Sequence, residues 1–221
     1  MATSQGRPLR PVRPTRVAGV SGLVFVLLLL VGAGMASVPG ADDTTAAVRA
    51  FYEAHTGVVV AAQVIELLAT LPLVVFVLGS ARSLLVARPG PLALTGLAMA
   101  GAAVMTVVPP LWLCVVASSG AADLVDALAL LSDLVDVVLF LTIAAFAGVC
   151  AREWLGPLWL RWAALGVAVL CTLRALEILV AGTVLTVVAP VSFLLLVTAL
   201  SICLLRQRTH AHPQRRSSAP V

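Results

Sequence analysis

The feature that most constrains this chain is a stretch of 44 residues, 162–205, in which Arg174 and Glu177 are the only charged side chains. Drawn as one helix it would be about 66 Å long at 1.5 Å per residue, about twice the ~30 Å hydrocarbon thickness of a bilayer. It must therefore fold back as two spans. The rest of the chain has the same character: 61% of its 221 residues are hydrophobic and 11% are charged, against about 25% charged in an ordinary soluble domain. Helices apolar on every side cannot present a wetted face, so a water-soluble bundle is excluded and an all-α, polytopic membrane helix bundle is predicted. All 14 basic residues are arginine. Together with the Ala, Val and Leu bias this points to a GC-rich bacterial genome. The arginines sit in separate short segments with no aromatic-interleaved basic face, so nucleic acid is not an expected partner.

Taken in order, residues 1–16 hold Arg7, Arg10, Arg13 and Arg16 among prolines and read as a disordered basic tail. Six apolar runs follow at about 17–38, 57–85, 92–117, 128–150, 158–179 and 186–205, and a polar basic tail, 206–221, closes the chain. The first run could also be a secretory signal peptide, although it exceeds the usual ~7–15 apolar residues of one. Between the first two runs, residues 42–55 open with Asp42 and Asp43 and place Val48, Phe51, Tyr52 and His55 on one face, the pattern of an outer amphipathic helix. Pro72 is expected to kink the second span and Pro190 to bend the sixth. A tight turn is expected near Gly182, and His210 and His212 are too sparse for a metal tract. Small residues Gly96, Ala100 and Gly101 in the third span, and Ala144 and Gly148 in the fourth, suit close helix contact. Trp154, Trp159 and Trp162, around the turn between the fourth and fifth spans, are expected to be interfacial anchors.

Charge sets the orientation. With both termini inside, twelve of the fourteen arginines fall in inner segments, and only Arg49 and Arg174 lie outside or in the outer half. This obeys the positive-inside rule and favours six spans in the cytoplasmic (inner) membrane of a bacterium, with both termini cytoplasmic.

The remaining anomaly is charge inside the spans. Glu66 lies about 13 Å, and Asp133 and Asp136 about 8 and 12 Å, below the outer boundary, while Arg174 lies about 6 Å from it on an ascending span and Glu177 nearer still. Gln63/Glu66, Asp133/Asp136 and Arg174/Glu177 are each spaced i,i+3, so each helix offers one polar stripe. A central charge facing lipid costs about 2.5–3.5 kcal/mol even on a lenient scale, so the stripes are expected to converge inside the bundle. Four carboxylates against one guanidinium then need neutralising by protons, a cation, a cationic ligand or water. Two readings follow. In the first the chain is a structural or regulatory membrane component in which Arg174 fastens the fifth helix to Asp133 or Asp136 of the fourth. In the second it is a proton-coupled small-solute carrier, or a small-ligand or cation-binding protein, using these carboxylates.

No catalytic residues are assigned, because the sequence has no H-E-x-x-H, clustered histidine or G-x-S-x-G from which a hydrolase could be argued. Cys114, Cys150, Cys171 and Cys203 lie in separate apolar runs without metal-ligand or disulfide spacing, so no metal or cofactor is expected. Expected partners are the lipid bilayer and another membrane protein or a second copy of the chain. A V-I-E-L-L/L-E-I-L-V echo between the second and fifth spans is too weak to argue a transporter repeat.

The outer segment from Asp42-Asp43 through Val48, Phe51-Tyr52 and His55, the S-D-L-x-D-x-x-L-F run from Ser132 to Phe140, and G-P-L-W-L-x-W-x-x-L-G from Gly156 to Gly166 resemble a family of uncharacterised six-span membrane proteins of actinobacteria. Its members are domains of unknown function. The resemblance covers about 39–166 and implies the six-span topology. It implies no activity, cofactor or substrate, and the family pattern does not include Glu66 or the Arg174/Glu177 pair.

Overall fold

The computed structural model describes residues 14–35, 44–83, 85–117, 122–179 and 184–206. Most of the basic tails, Asp42 and Asp43, the loop at 118–121, the turn around Gly182, and His210 and His212 lie outside these residues. The described chain is all α: α1 (Pro14–Met35), α2 (Thr45–Ala81), α3 (Pro89–Thr106), α4 (Val108–Val116), α5 (Ala122–Glu153), α6 (Leu158–Leu179) and α7 (Val188–Arg206). With α3 and α4 taken together, six of these helical segments are long and apolar enough to cross a membrane, and the protein is a multi-pass helix bundle.

Local chemistry explains the boundaries. Thr44 caps α2, its hydroxyl accepting from the Ala47 N–H at 3.3 Å, so the amphipathic segment starts after the expected acids. It runs into the second span through a break at His55, where φ −120° and ψ 15° leave the helical region. Here the His55 ring stacks on Phe51 and its Nδ1 meets the Phe51 carbonyl at 3.0 Å. Pro72 sits within α2. Pro109 and Pro110 lack the N–H groups that would continue the ladder, and the third span divides at Val107 into α3 and α4. Pro190 lies in the first turn of α7, where a missing N–H is harmless, and so does not bend the middle of the span.

The helices close into a ring. α1 packs on α2 and α7, α3 on α2 and α5, α5 on α6, and α6 on α7, with α4 against α2 and α5, while α2 also touches α5 across the ring. α1 approaches its neighbours through small residues: a side chain at Gly22 would strike Phe76 of α2 and the Ser201 hydroxyl of α7. Phe25 meets Phe193 edge-to-face at 6.2 Å. Two apolar clusters result. The larger runs from Ala69, Leu73 and Phe76 of α2 to Phe140, Phe146 and Cys150 of α5 and into α6 and α7. The smaller joins Val48, Tyr52 and Val59 of α2 to Leu113, Val116 and Val125.

At 32 residues α5 is about 48 Å long, more than the hydrocarbon thickness, so its first turns project beyond it. There Asp126 accepts from the Thr45 hydroxyl at 2.6 Å, tying the start of α5 to the start of α2. At the opposite end the connections after α2 and after α5 pair as a short antiparallel bridge between Val86 and Trp154. Leu155 N–H donates to Leu85 at 2.6 Å and Ala87 N–H to Glu153 at 2.8 Å.

Candidate functional site

Along α2 the polar pair Gln63/Glu66 falls between Val59, in the smaller cluster, and Ala69, in the larger. Along α5 the pair Asp133/Asp136 likewise falls between Val125 and Phe140. Between those two apolar residues no side chain of α5 is fully buried. The i,i+3 spacing therefore sets both pairs at one level, where apolar packing is interrupted.

Gln63 is 5% exposed. Its Nε2 donates to Glu66 Oε2 at 3.4 Å, and its Oε1 is buried with no hydrogen-bond partner among the described residues. Glu66 backs onto α1, where a Cβ at Gly32 would stand 2.9 Å from its Cγ. Thr70, one turn further on, satisfies itself on the Leu67 carbonyl at 2.7 Å and adds nothing to the site. Asp133 and Asp136 are partly buried, and Asp136 stands within electrostatic range of Asp133, Arg174 and Glu66. Charges on α2 and α6 thus act on Asp136 of α5, and α2 and α5 are in direct contact.

The cation of the group, Arg174, has a partner within its own helix. Arg174 pairs at 3.0 Å with Glu177 on its own helix, and the two side chains are 14% and 12% exposed. Both Glu177 oxygens also accept the Leu185 N–H, at 3.1 and 2.9 Å, in the turn leading into α7. Glu177 is therefore a clip between the end of α6 and the start of α7. Arg174 adds its field toward Asp136 from that clip. Sequence spacing placed Arg174 and Glu177 on one stripe but carried no sign of the Leu185 contact, which depends on how the α6–α7 turn folds back.

The remaining candidates lie elsewhere. Trp159 and Trp162 are 58% and 65% exposed on the outside of the bundle. Trp154 is 2% exposed, because its backbone belongs to the bridge that joins the two connections, and it does not face outward. Trp112, which the sequence reading passed over, is 56% exposed on α4. Arg161 donates from Nε to the Ala151 carbonyl at 2.9 Å, bracing α6 against α5. Among the described residues no three His, Cys, Asp or Glu side chains gather closely enough to hold a metal ion. Cys150 and Cys171 are buried, and all four cysteines are free. Comparison with protein-family models, with curated proteins and with solved structures gave no match.

Proposed function

We propose that this protein is a structural or regulatory component of a bacterial cytoplasmic membrane, with both termini on the cytoplasmic face and the carboxylate layer in the outer half. The observation that carries the structural reading is the placement of Arg174, paired with Glu177, which itself grips the α7 turn, and within electrostatic range of Asp136 on α5. One guanidinium thereby acts on α5, α6 and the approach to α7. The orientation is supported by Arg16, Arg82, Arg88, Arg152, Arg161 and Arg206, which flank the same ends of the six spans. The Val86–Trp154 bridge joins two of those connections.

Thermal unfolding of the purified protein tests the fastening. Arg174→Leu should lower Tm sharply by leaving buried carboxylates without their cation, and adding Asp133→Asn and Asp136→Asn should return much of the loss. A triple variant no more stable than Arg174→Leu refutes the reading. Reporter fusions at each terminus test the orientation, and an external terminus refutes it.

A further inference from the structure

The connections that follow α2 and α5 bring arginines together at one end of the bundle. The Val86–Trp154 bridge sets one connection against the other, with the Ala87 N–H on the Glu153 carbonyl at 2.8 Å. Arg88 and Arg152 are the next residues on the two chains beyond that hydrogen bond. Arg161 reaches the same place from α6, its Nε donating at 2.9 Å to the carbonyl of Ala151, the neighbour of Arg152. Folding thus gathers guanidiniums from three segments, and like charges held close repel. Glu153 is the only carboxylate at this end among the described residues. Its side chain is buried, and its ion pair with Arg152, at 3.6 Å, leaves the Arg152 side chain 79% exposed. Arg88 is exposed at the N-cap of α3, where its side chain makes no capping hydrogen bond. Three guanidiniums against one inward carboxylate leave a positive charge that an anion from outside can offset.

This end is open to approach. Residues 87–91 are all exposed, and a Cβ at Gly90 would meet nothing within 4 Å. α3 itself offers little to an anion, because Pro89 and Pro91 lack N–H groups in its first turn. The guanidiniums must do the holding. Trp159 and Trp162, on either side of Arg161 in the chain, are exposed, and tryptophans at the end of a membrane span favour headgroup depth. A lipid phosphate at that depth accepts paired N–H bonds from arginine. A headgroup amine would add another positive charge to the group, so charge complementarity selects a headgroup without one. We propose that Arg88, Arg152 and Arg161 form a docking site for the phosphate of an anionic phospholipid. The lipid would bridge the connection after α2 to the start of α6 and so reinforce the Val86–Trp154 bridge. The proposal goes beyond the structural reading above. It does not depend on which face is cytoplasmic, since a leaflet meets this end of the bundle in either orientation.

The test is thermal unfolding of the full chain in maltoside micelles, titrated with phosphatidylglycerol, phosphatidylcholine or sodium phosphate. Sodium chloride at ~0.3 M screens exposed charges more than about 8 Å apart, so contacts dominate. Phosphatidylglycerol should raise Tm saturably where the other two do not. In Arg88→Gln or Arg152→Gln the half-saturating lipid fraction should rise about tenfold, the size of one lost charge-assisted hydrogen bond. Both side chains are exposed, so both variants should fold. Arg16→Gln removes the same charge from α1, which packs on α2 and α7, and should shift the titration by less than about twofold. No response to phosphatidylglycerol, an equal response to phosphatidylcholine or to inorganic phosphate, or a response undiminished in both Arg88→Gln and Arg152→Gln overturns the proposal. So does an Arg16→Gln effect as large as theirs, which would mean a diffuse positive surface instead of a site.

Discussion

A methyl group added at Gly96 should separate two helices of the ring. Gly96 is buried on α3 against Val77 of α2, and a Cβ built there meets both Val77 methyls, Cγ2 at 2.7 Å, and Val77 Cβ at 3.1 Å. Comfortable carbon contacts are about 3.5–4.0 Å. Turning the valine cannot relieve the Cβ contact, because that atom does not move with χ1, and one χ1 rotamer dominates for valine in a helix. The relief must come from α2 and α3 moving apart by roughly half an ångström or more, a distortion that in packed cores costs about 1–3 kcal/mol. Alanine's higher helix propensity returns about 0.8–1 kcal/mol, so Gly96→Ala should range from near neutral to a net loss of about 2 kcal/mol. Gly101, on the same helix, has nothing within 4 Å of its Cβ position, and Gly101→Ala should gain about 0.5–1 kcal/mol. Val77→Ala removes the two methyls from a fully buried position and should cost about 1.5 kcal/mol at ~0.8 per buried carbon. Because it also makes room for the new methyl, the double variant should be less damaged than the sum by about 1–2 kcal/mol. Reversible unfolding in mixed micelles on titration with sodium dodecyl sulfate, followed by circular dichroism, measures all four. Additivity within ~0.5 kcal/mol, or equal behaviour of Gly96→Ala and Gly101→Ala, would refute the contact.

Trp154→Ala should cost about 3–5 kcal/mol, as for a buried aromatic truncated to a cavity, whereas Trp159→Ala and Trp162→Ala should change stability little; quenching by brominated lipid should reach Trp159 and Trp162 and spare Trp154. Thr44→Ala removes the cap of α2 and should cost about 1 kcal/mol, read as faster hydrogen exchange confined to the first turns before His55. A maleimide should label Cys114 and Cys203, which are partly exposed, more readily than Cys150 and Cys171, and the difference should vanish in denaturing detergent; rapid labelling of Cys150 in the folded protein would contradict its place in the core.

The helical bundle and its six membrane-length helices were legible in the chain because bilayer thickness is matched by counting apolar residues at 1.5 Å each, a property of the sequence alone. The polar stripes were legible for the same reason: i,i+3 spacing puts Gln63 beside Glu66 and Arg174 beside Glu177 on any helix, and both pairs are in contact. The partners across helices were not. Gly96 and Gly101 are equally small, yet one is wedged on Val77 and the other is open. Trp154 and Trp159 are equally aromatic, yet one is buried in a loop bridge and the other exposed. Glu177 closes on Leu185 through a turn that hydropathy does not describe. The reason is that lipid and protein interior are almost equally apolar, so hydrophobicity decides that a residue is in the membrane but not which way it faces. That choice rests on close packing and hydrogen bonding between helices, and these exist only once the ring is closed from α1 to α7.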